Sequence, residues 1–474
     1  MSDILTPDLC VIGAGSGGLS VAAIAASMKV PVVLIEKGEM GGDCLNYGCV
    51  PSKALIAAAA RAHAMRSAEP FGVHAVEPRV DMGKVHAHIR SVIDGIAPND
   101  SAERFGALGV QVIRGAGKFV SKNTLEAGGK TIKARRFVIA TGSSPAVPPI
   151  PGIDQVRYLT NETLFDLKDM PNRLIVIGGG PIGMEMAQAF RRLGADVVVL
   201  EGATALGRED PELRDIVLAR LRAEGVDIRE GAEILRIEAH GSGARVVLKF
   251  KDIEENIDGS HLLVATGRSP NVHNLGLEQA GVTFDRRGVN VNAGLRTSNR
   301  RIYAIGDAAG GLQFTHAANY HAGLVIRSAL FRAWVKAEDR LIPRVTYTDP
   351  EIAVAGLTEE QARETHKTVH IYRWPFSEND RARAAGEIQG HIKIVASKKD
   401  RVLGVGIVGP HAGELLGLWQ LAIAKNLSLA DISSTVMPYP TLQEVSRRAA
   451  VLHYQKSLAN PWLGRLLRFL RMFG

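Results

Sequence analysis

Two copies of one strand–loop–helix–strand unit constrain this chain more than anything else in its sequence. In the first, the apolar strand Leu9 to Ile12 runs into Gly13, Gly15 and Gly18, spaced G-x-G-x-x-G, then into an alanine-rich helix and a strand ending at Glu36. In the second, a strand from Leu174 runs into Gly178, Gly180 and Gly183, a helix, and a strand ending at Glu201. Each acid stands 23 residues after the first glycine of its copy, from 13 to 36 and from 178 to 201. The glycines permit the tight turn, the close approach of backbone to a pyrophosphate and the packing of helix on strand; the acid is placed to accept from ribose hydroxyls. One such unit is a weak signal. Two in one chain predict an α/β protein with two Rossmann-like dinucleotide-binding domains, hence two dinucleotides, most simply FAD and an exchanging nicotinamide. A carboxylate at Glu201 repels a 2′-phosphate and favours NADH. Arg208, in LGREDPE, is placed to meet such a phosphate, so NADPH stays open.

Three further segments have the form of a buried strand that breaks at a glycine. They are FVIATGSSP (Phe137 to Pro145, with Thr141 and Gly142), LLVATGRSPN (Leu262 to Asn271, with Gly267) and RIYAIGDAAG (Arg301 to Gly310). The Thr-Gly breaks let backbone approach a cofactor, and Asp307 in the third segment can accept from a sugar-like hydroxyl.

Between the two glycine loops lies GGDCLNYGCVPSK, residues 41–53, with Cys44 and Cys49 five apart and Lys53 close behind. This spacing allows a disulfide across one turn at a helix start, where the helix dipole and a nearby ammonium favour thiolate. A structural disulfide gains little from so small a loop in 474 residues. Zinc lacks a second Cys or His pair nearby, so no resident metal is expected. The remaining reading is a redox-active dithiol. Cys10, inside the first strand, reads as a small buried hydrophobe.

Length predicts roughly three domains. The net charge of +8 comes from Lys and Arg interleaved with acids, which suits anionic dinucleotides better than nucleic acid. No run of about 18 apolar residues predicts a membrane span. The N-terminus lacks a basic leader, and few cysteines suit a reducing compartment, so a cytoplasmic protein is expected. The tail PWLGRLLRFLRMFG (461–474) differs from the rest: wound as a helix, it sets Trp462, Leu463, Leu466, Leu467, Phe469, Leu470 and Phe473 on one face and Arg465, Arg468 and Arg471 opposite. Such a face either lies peripherally on the inner, anionic membrane face or packs on the body or a partner subunit.

Taken together, the glycine loops, GGDCLNYGCVPSK, both ATG strands, YAIGD and YTDPEIAVAGLTEEQA (Tyr347 to Ala362) resemble those of the class I pyridine nucleotide–disulfide oxidoreductases. This is the FAD-dependent family of dihydrolipoyl dehydrogenase, glutathione reductase and mercuric reductase. The resemblance runs from about Leu9 to Gln455. It implies an FAD domain (1–148 and 271–341), an inserted NAD(P) domain (149–270), an α+β dimerisation domain (342–458) that makes a homodimer, and the tail (459–474). It also implies electron flow from NADH through FAD to the Cys44–Cys49 disulfide and on to an acceptor. By motif, Cys49 would face the flavin and Cys44 would exchange with substrate. Lys53, paired with Glu185, would lie by the flavin's reactive nitrogen. Asp307 would bind the ribityl chain, Gly117 would meet the FAD nucleotide, and Thr315 would join the cofactor site.

The acceptor side departs from the family. Lipoamide and glutathione enzymes end with His-Pro and a Glu four residues beyond the Pro, the histidine serving as acid–base; this chain has Tyr439, Pro440 and Glu444. An ordinary phenol, with a pKa of about 10, is a poor base near neutrality. A tyrosine here is similar to mercuric reductases, yet no cysteine follows Cys49, so their C-terminal cysteine pair is missing. Asp43 replaces a threonine beside Cys44 and should oppose its thiolate. Pro181 stands where glutathione reductases carry a gating tyrosine. The expectation is a mercuric-reductase-like NADH-driven oxidoreductase with a disulfide or soft-metal acceptor. The alternatives are a dihydrolipoyl dehydrogenase with altered base, or a membrane-docked flavoprotein donating electrons to a partner protein.

Overall fold

The structure, a computed structural model, describes residues 4–455 and 461–473. These divide into two compact units, one formed by residues up to 203 with 226–338, the other by 204–225 with those from 339 onward.

The first unit holds two parallel five-stranded sheets built to one plan. One runs Ile302–Ala304, Arg136–Ile139, Leu9–Ile12, Val32–Glu36, Val110–Arg114. The other runs Tyr158–Leu159, His261–Val264, Arg173–Ile177, Asp196–Glu201, Asp227–Glu230. In each the glycine-loop strand is central, with the strand leading to Ala-Thr-Gly on one side and the strand ending in the acid on the other. Leu9–Ile12 is buried at every position, the continuous apolar run that a parallel sheet covered on both faces requires. Beyond their Thr-Gly breaks, the two leading strands resume as Ser143–Pro145 and Arg268–Pro270, which pair antiparallel. That pairing joins the two repeats directly behind the cofactor loops.

The second unit is an antiparallel five-stranded sheet in the order Arg344–Thr346, Glu351–Gly356, Val402–Gly409, His391–Ser397, Val369–Pro375. Helix Ala412–Ala424 packs on it through Trp419, fully buried, whose indole N–H donates to Ser446 Oγ at 3.0 Å. The helix Pro211–Ala223 belongs to this unit although its sequence lies inside the second dinucleotide repeat. The reason is a buried ammonium. Lys393, 5% exposed on its strand, reaches Asp210 at 2.7 Å, Glu212 at 3.0 Å and Glu359 at 2.9 Å, while Leu213 packs against Gly406. Such a pairing of charges set far apart in sequence has no local signature.

Replacing Lys393 by Met removes the buried ammonium that Asp210, Glu212 and Glu359 share. The expected loss is about 3 kcal/mol, the usual cost of removing one partner from a buried pair, read as a lowered melting temperature in calorimetry. Glu212, held by Arg373 and then Lys393, has its carboxyl pulled down to about 2. Its contribution is complete above the ordinary glutamate range and fades as pH falls through that range toward 2, so the wild-type advantage over the variant should shrink on acidification.

Candidate active site

The two glycine loops are superimposable in their constraints. Gly13 has φ +104°, and a Cβ there would lie 2.3 Å from the Ala140 carbonyl oxygen; Gly178 has φ +109°, and a Cβ would lie 2.5 Å from that of Ala265. Only glycine fits where the loop passes so close to the ATG strand. The acids anchor the same loops from the other side. Glu36 accepts from the amides of Ala14 at 2.6 Å and Gly38 at 2.7 Å; Glu201 accepts from those of Gly179 at 2.7 Å and Ala203 at 2.8 Å. The helices Ser16–Ser27 and Pro181–Leu193 then begin without a side-chain cap, leaving first-turn amides for a phosphate.

One difference separates the cradles. Gly15 bridges to Gly41 of the cysteine loop, with the Gly41 amide donating to Ala14 O at 3.0 Å. A Cβ on Gly180 would meet nothing within 4 Å. Beside Glu201 lies a cavity of about 280 Å³ lined by Gly178, Leu200, Gly202, Ile234 and Thr266. Gly142 and Gly267, at the two Thr-Gly breaks, are likewise open to a close neighbour. Gly117 is buried against Ile12, Ile35 and Leu125, packing beneath the first loop. Loops bare of Cβ atoms, anchored acids and uncapped helix starts fit two dinucleotides.

Cys44 sits in the short helix Gly42–Asn46, and Cys49 opens the helix Cys49–Arg66; both are free thiols. Cys49 Sγ lies 3.5 Å from Thr315 Oγ1, so Thr315 meets the sulfur as well as lying in the expected cofactor region. The thiol of Cys49 is pulled down to about 6, first by a hydrogen bond from Cys44, then by Thr315 and the Lys53 charge, against the cost of burial. Cys44, holding the shared proton, is pushed well above the ordinary thiol range. The two shifts run in opposite directions, which makes Cys49 the more acidic thiol of the pair.

Lys53 and Glu185 meet at 2.8 Å across 132 residues, with Glu185 only 6% exposed. The helices that carry them are the one opened by Cys49 and the one that follows the second glycine loop, so this bond ties the dithiol to the second repeat. Asp43 accepts from Arg268 at 3.1 Å and from Asn161 Nδ2 at 3.0 Å. Its charge does oppose both thiolates, as expected, but it is the smallest of the causes named for each. Arg268 also donates to Ser143 Oγ at 2.7 Å, and Ser143 donates to Asp307 at 2.5 Å. Burial holds the Asp307 carboxyl above its usual range. Ser143 and Arg268 follow Gly142 and Gly267 at matching places in the two ATG segments. Sequence reasoning missed them, although the repeat pointed to both.

In the second unit, Tyr439 is 67% exposed and its hydroxyl donates to Asp380 Oδ2 at 2.8 Å. That bond, with the Asp380 charge, raises the phenol further above its ordinary value. Glu444 opens the helix Glu444–Val451. His453 is buried, its ring on the Ala450 carbonyl at 2.7 Å. Asp380 was not visible as a partner in the sequence.

Alkylation of the reduced protein against pH should show Cys49 titrating at about 6. Cys44→Ser should move that inflection upward by about one unit or more, since a hydroxyl is a weaker match for the sulfur; Lys53→Met should move it less. An inflection that stays near 6 in Cys44→Ser contradicts the shared proton.

Two family models match: Pyridine nucleotide-disulphide oxidoreductase over residues 7–322, and the dimerisation domain of the same family over 342–450. A dihydrolipoyl dehydrogenase of Thermus scotoductus is 38% identical over 469 residues, covering 95% of this chain and 98% of the relative. A mercuric reductase of Bacillus cereus is 36% identical over 455 residues, covering 95% and 72%. Among solved structures, the HOCl-induced flavoprotein disulfide reductase RclA from Escherichia coli aligns with TM-score 0.84 at 27% identity, covering 94% and 99%, and a Cu(II) complex of it aligns with 0.83. The paired cradles, the dithiol between them and these matches agree: the chain belongs to the pyridine nucleotide-disulphide oxidoreductase family, flavoproteins that use FAD and NAD(P)H and whose dimerisation domain it carries.

Proposed function

We propose that this protein spends NADH to keep the Cys44–Cys49 pair reduced and delivers the electrons to a disulfide or a soft-metal thiolate complex. The observation that carries this reading is the depressed Cys49 thiol, flanked by Cys44, Thr315 and Lys53, in a chain whose acceptor-side position is Tyr439 rather than a base. The first glycine cradle with Asp307 and Gly117 fits FAD, and the second, with Glu201, fits the nicotinamide dinucleotide. This corresponds to an FAD domain at 1–148 and 271–341, an NAD domain at 149–270 and a homodimer made through 342–458. When bound, FAD supplies the two-electron chemistry linking nicotinamide to dithiol.

The protein's own groups do the rest. Lys53, kept in place by Glu185, puts a fixed positive charge beside the Cys49 thiolate. Cys44 attacks one sulfur of the acceptor, and its proton passes to the other, which leaves as a thiol. Cys49, the more acidic of the two, then attacks Cys44 as its thiolate and displaces the second half as a thiolate, closing the Cys44–Cys49 disulfide. A soft ion would instead be gripped by both sulfurs. Tyr439, its hydroxyl donating to Asp380, offers an oxygen to the incoming group without acting as a base. Likeness to mercuric reductases and to the Cu(II)-bound RclA supports the metal arm. The Thermus relative favours a second reading, lipoamide turnover, against which Tyr439 weighs. A dithiol reduced by NADH belongs in the cytoplasm, where that cofactor is supplied.

NADH oxidation should be measured across lipoamide, Hg(II)–thiol and Cu(II)–thiol complexes. Slow lipoamide turnover is expected, rising about 10²-fold in Tyr439→His as an acid–base group is restored; fast wild-type turnover that this change does not improve overturns the view of Tyr439. Glu201→Ala should cut the kcat/KM preference for NADH over NADPH by about tenfold through loss of a charged hydrogen bond to ribose. An unchanged ratio contradicts the assignment of the second cradle.

A further inference from the structure

The last described segment is the helix Pro461–Leu470 with a closing turn Arg471–Phe473. On its wheel Phe469, Trp462, Phe473, Leu466, Leu470, Leu463 and Leu467 fill one continuous arc, and Arg465, Arg468 and Arg471 fill the other, with no acid among them. A helix of this pattern normally buries its apolar arc against the body. Here that arc is open: Trp462 is 72% exposed, Phe469 54% and Phe473 74%, and Leu463 is the only residue of the helix below the exposed class. The Arg465 guanidinium lies 5.2 Å from the Trp462 ring centre, so a cation and an indole occupy one border of the two arcs. No helix among the described residues is long and apolar enough to cross a membrane, and ten residues span only about 15 Å.

We propose that residues 461–473 dock the protein on an anionic lipid bilayer, lying in the interface with the aromatic–leucine arc among the acyl chains and the three arginines at the headgroups. Charge complementarity selects this occupant. Three cations with no counter-charge on the same helix are costly to set against another copy of themselves. An anionic surface attracts each of them, while the apolar arc supplies the insertion that charge alone does not. The docking surface shares no residue with the cysteine site and does not depend on which acceptor that site serves. It would hold the dimer by two such helices, so that weak attachment of each is multiplied.

The test is co-sedimentation of the full-length FAD-loaded protein with vesicles of phosphatidylcholine alone and with about a third phosphatidylglycerol, at physiological salt. Binding to the anionic vesicles should be at least about tenfold tighter than to neutral ones, from roughly three favourable charges. The joint substitution Arg465→Gln, Arg468→Gln and Arg471→Gln should abolish that preference. Trp462→Ala with Phe469→Ala should abolish binding to both. NADH oxidation should be unchanged in every variant, which shows that the dimer is intact. Absence of binding, equal binding to both vesicles, or a tail whose removal changes only the oligomeric state overturns the proposal, the last outcome assigning the arc to a second copy of the chain.

Discussion

The ammonium of Lys53 must stand beside the cysteine pair and must stay charged, and the Glu185 carboxylate is what holds it there. The two are supplied by different halves of the chain, and each is useless without the other. Glu185 is buried, and loss of the Lys53 ammonium removes the ion pair at 2.8 Å from it. The ion pair joins the two helices that bear them. Because one helix opens with Cys49 and the other follows the second glycine loop, this contact also ties the dithiol to the second glycine cradle. The antiparallel pairing of Ser143–Pro145 with Arg268–Pro270 fixes the same relation from the opposite side.

The polar groups behind the cysteine loop form a single chain. Asp43 is bound by Arg268 and Asn161, Arg268 binds Ser143, and Ser143 binds Asp307. An acid beside a reactive thiol looks harmful when seen alone. Within this chain it is one end of an ion-paired and hydrogen-bonded strut from the cysteine loop to Asp307. In the second unit, the Tyr439 hydroxyl donates to the Asp380 carboxylate, so that position is polar without being basic.

How much of this was legible from the sequence follows the range of each interaction. The glycine loops, their acids and the strands around them obey local rules of turn, pleat and helix start, and they lie where the spacing put them. The Lys53–Glu185 contact was readable only through the family resemblance, since nothing local relates residues 132 apart. Arg268 and Ser143 carried a faint signal as matching positions in the two ATG segments. Asp380 and the Lys393 cluster carried none. Their partners come from separate strands and helices, and only the folded sheet brings them together. The same holds for Pro211–Ala223, whose sequence places it in one repeat and whose salt bridges place it in the other unit.

The two cradles also differ in how they are closed. In the first, the cysteine loop itself lies over Gly15, with the Gly41 amide bonded to Ala14; in the second, Gly180 faces open space. Lifting the cysteine loop from Gly15 breaks that backbone bond and shifts the thiols, whereas Gly180 carries no such tie. Two cradles with the same glycines and acids are thereby coupled unequally to the dithiol.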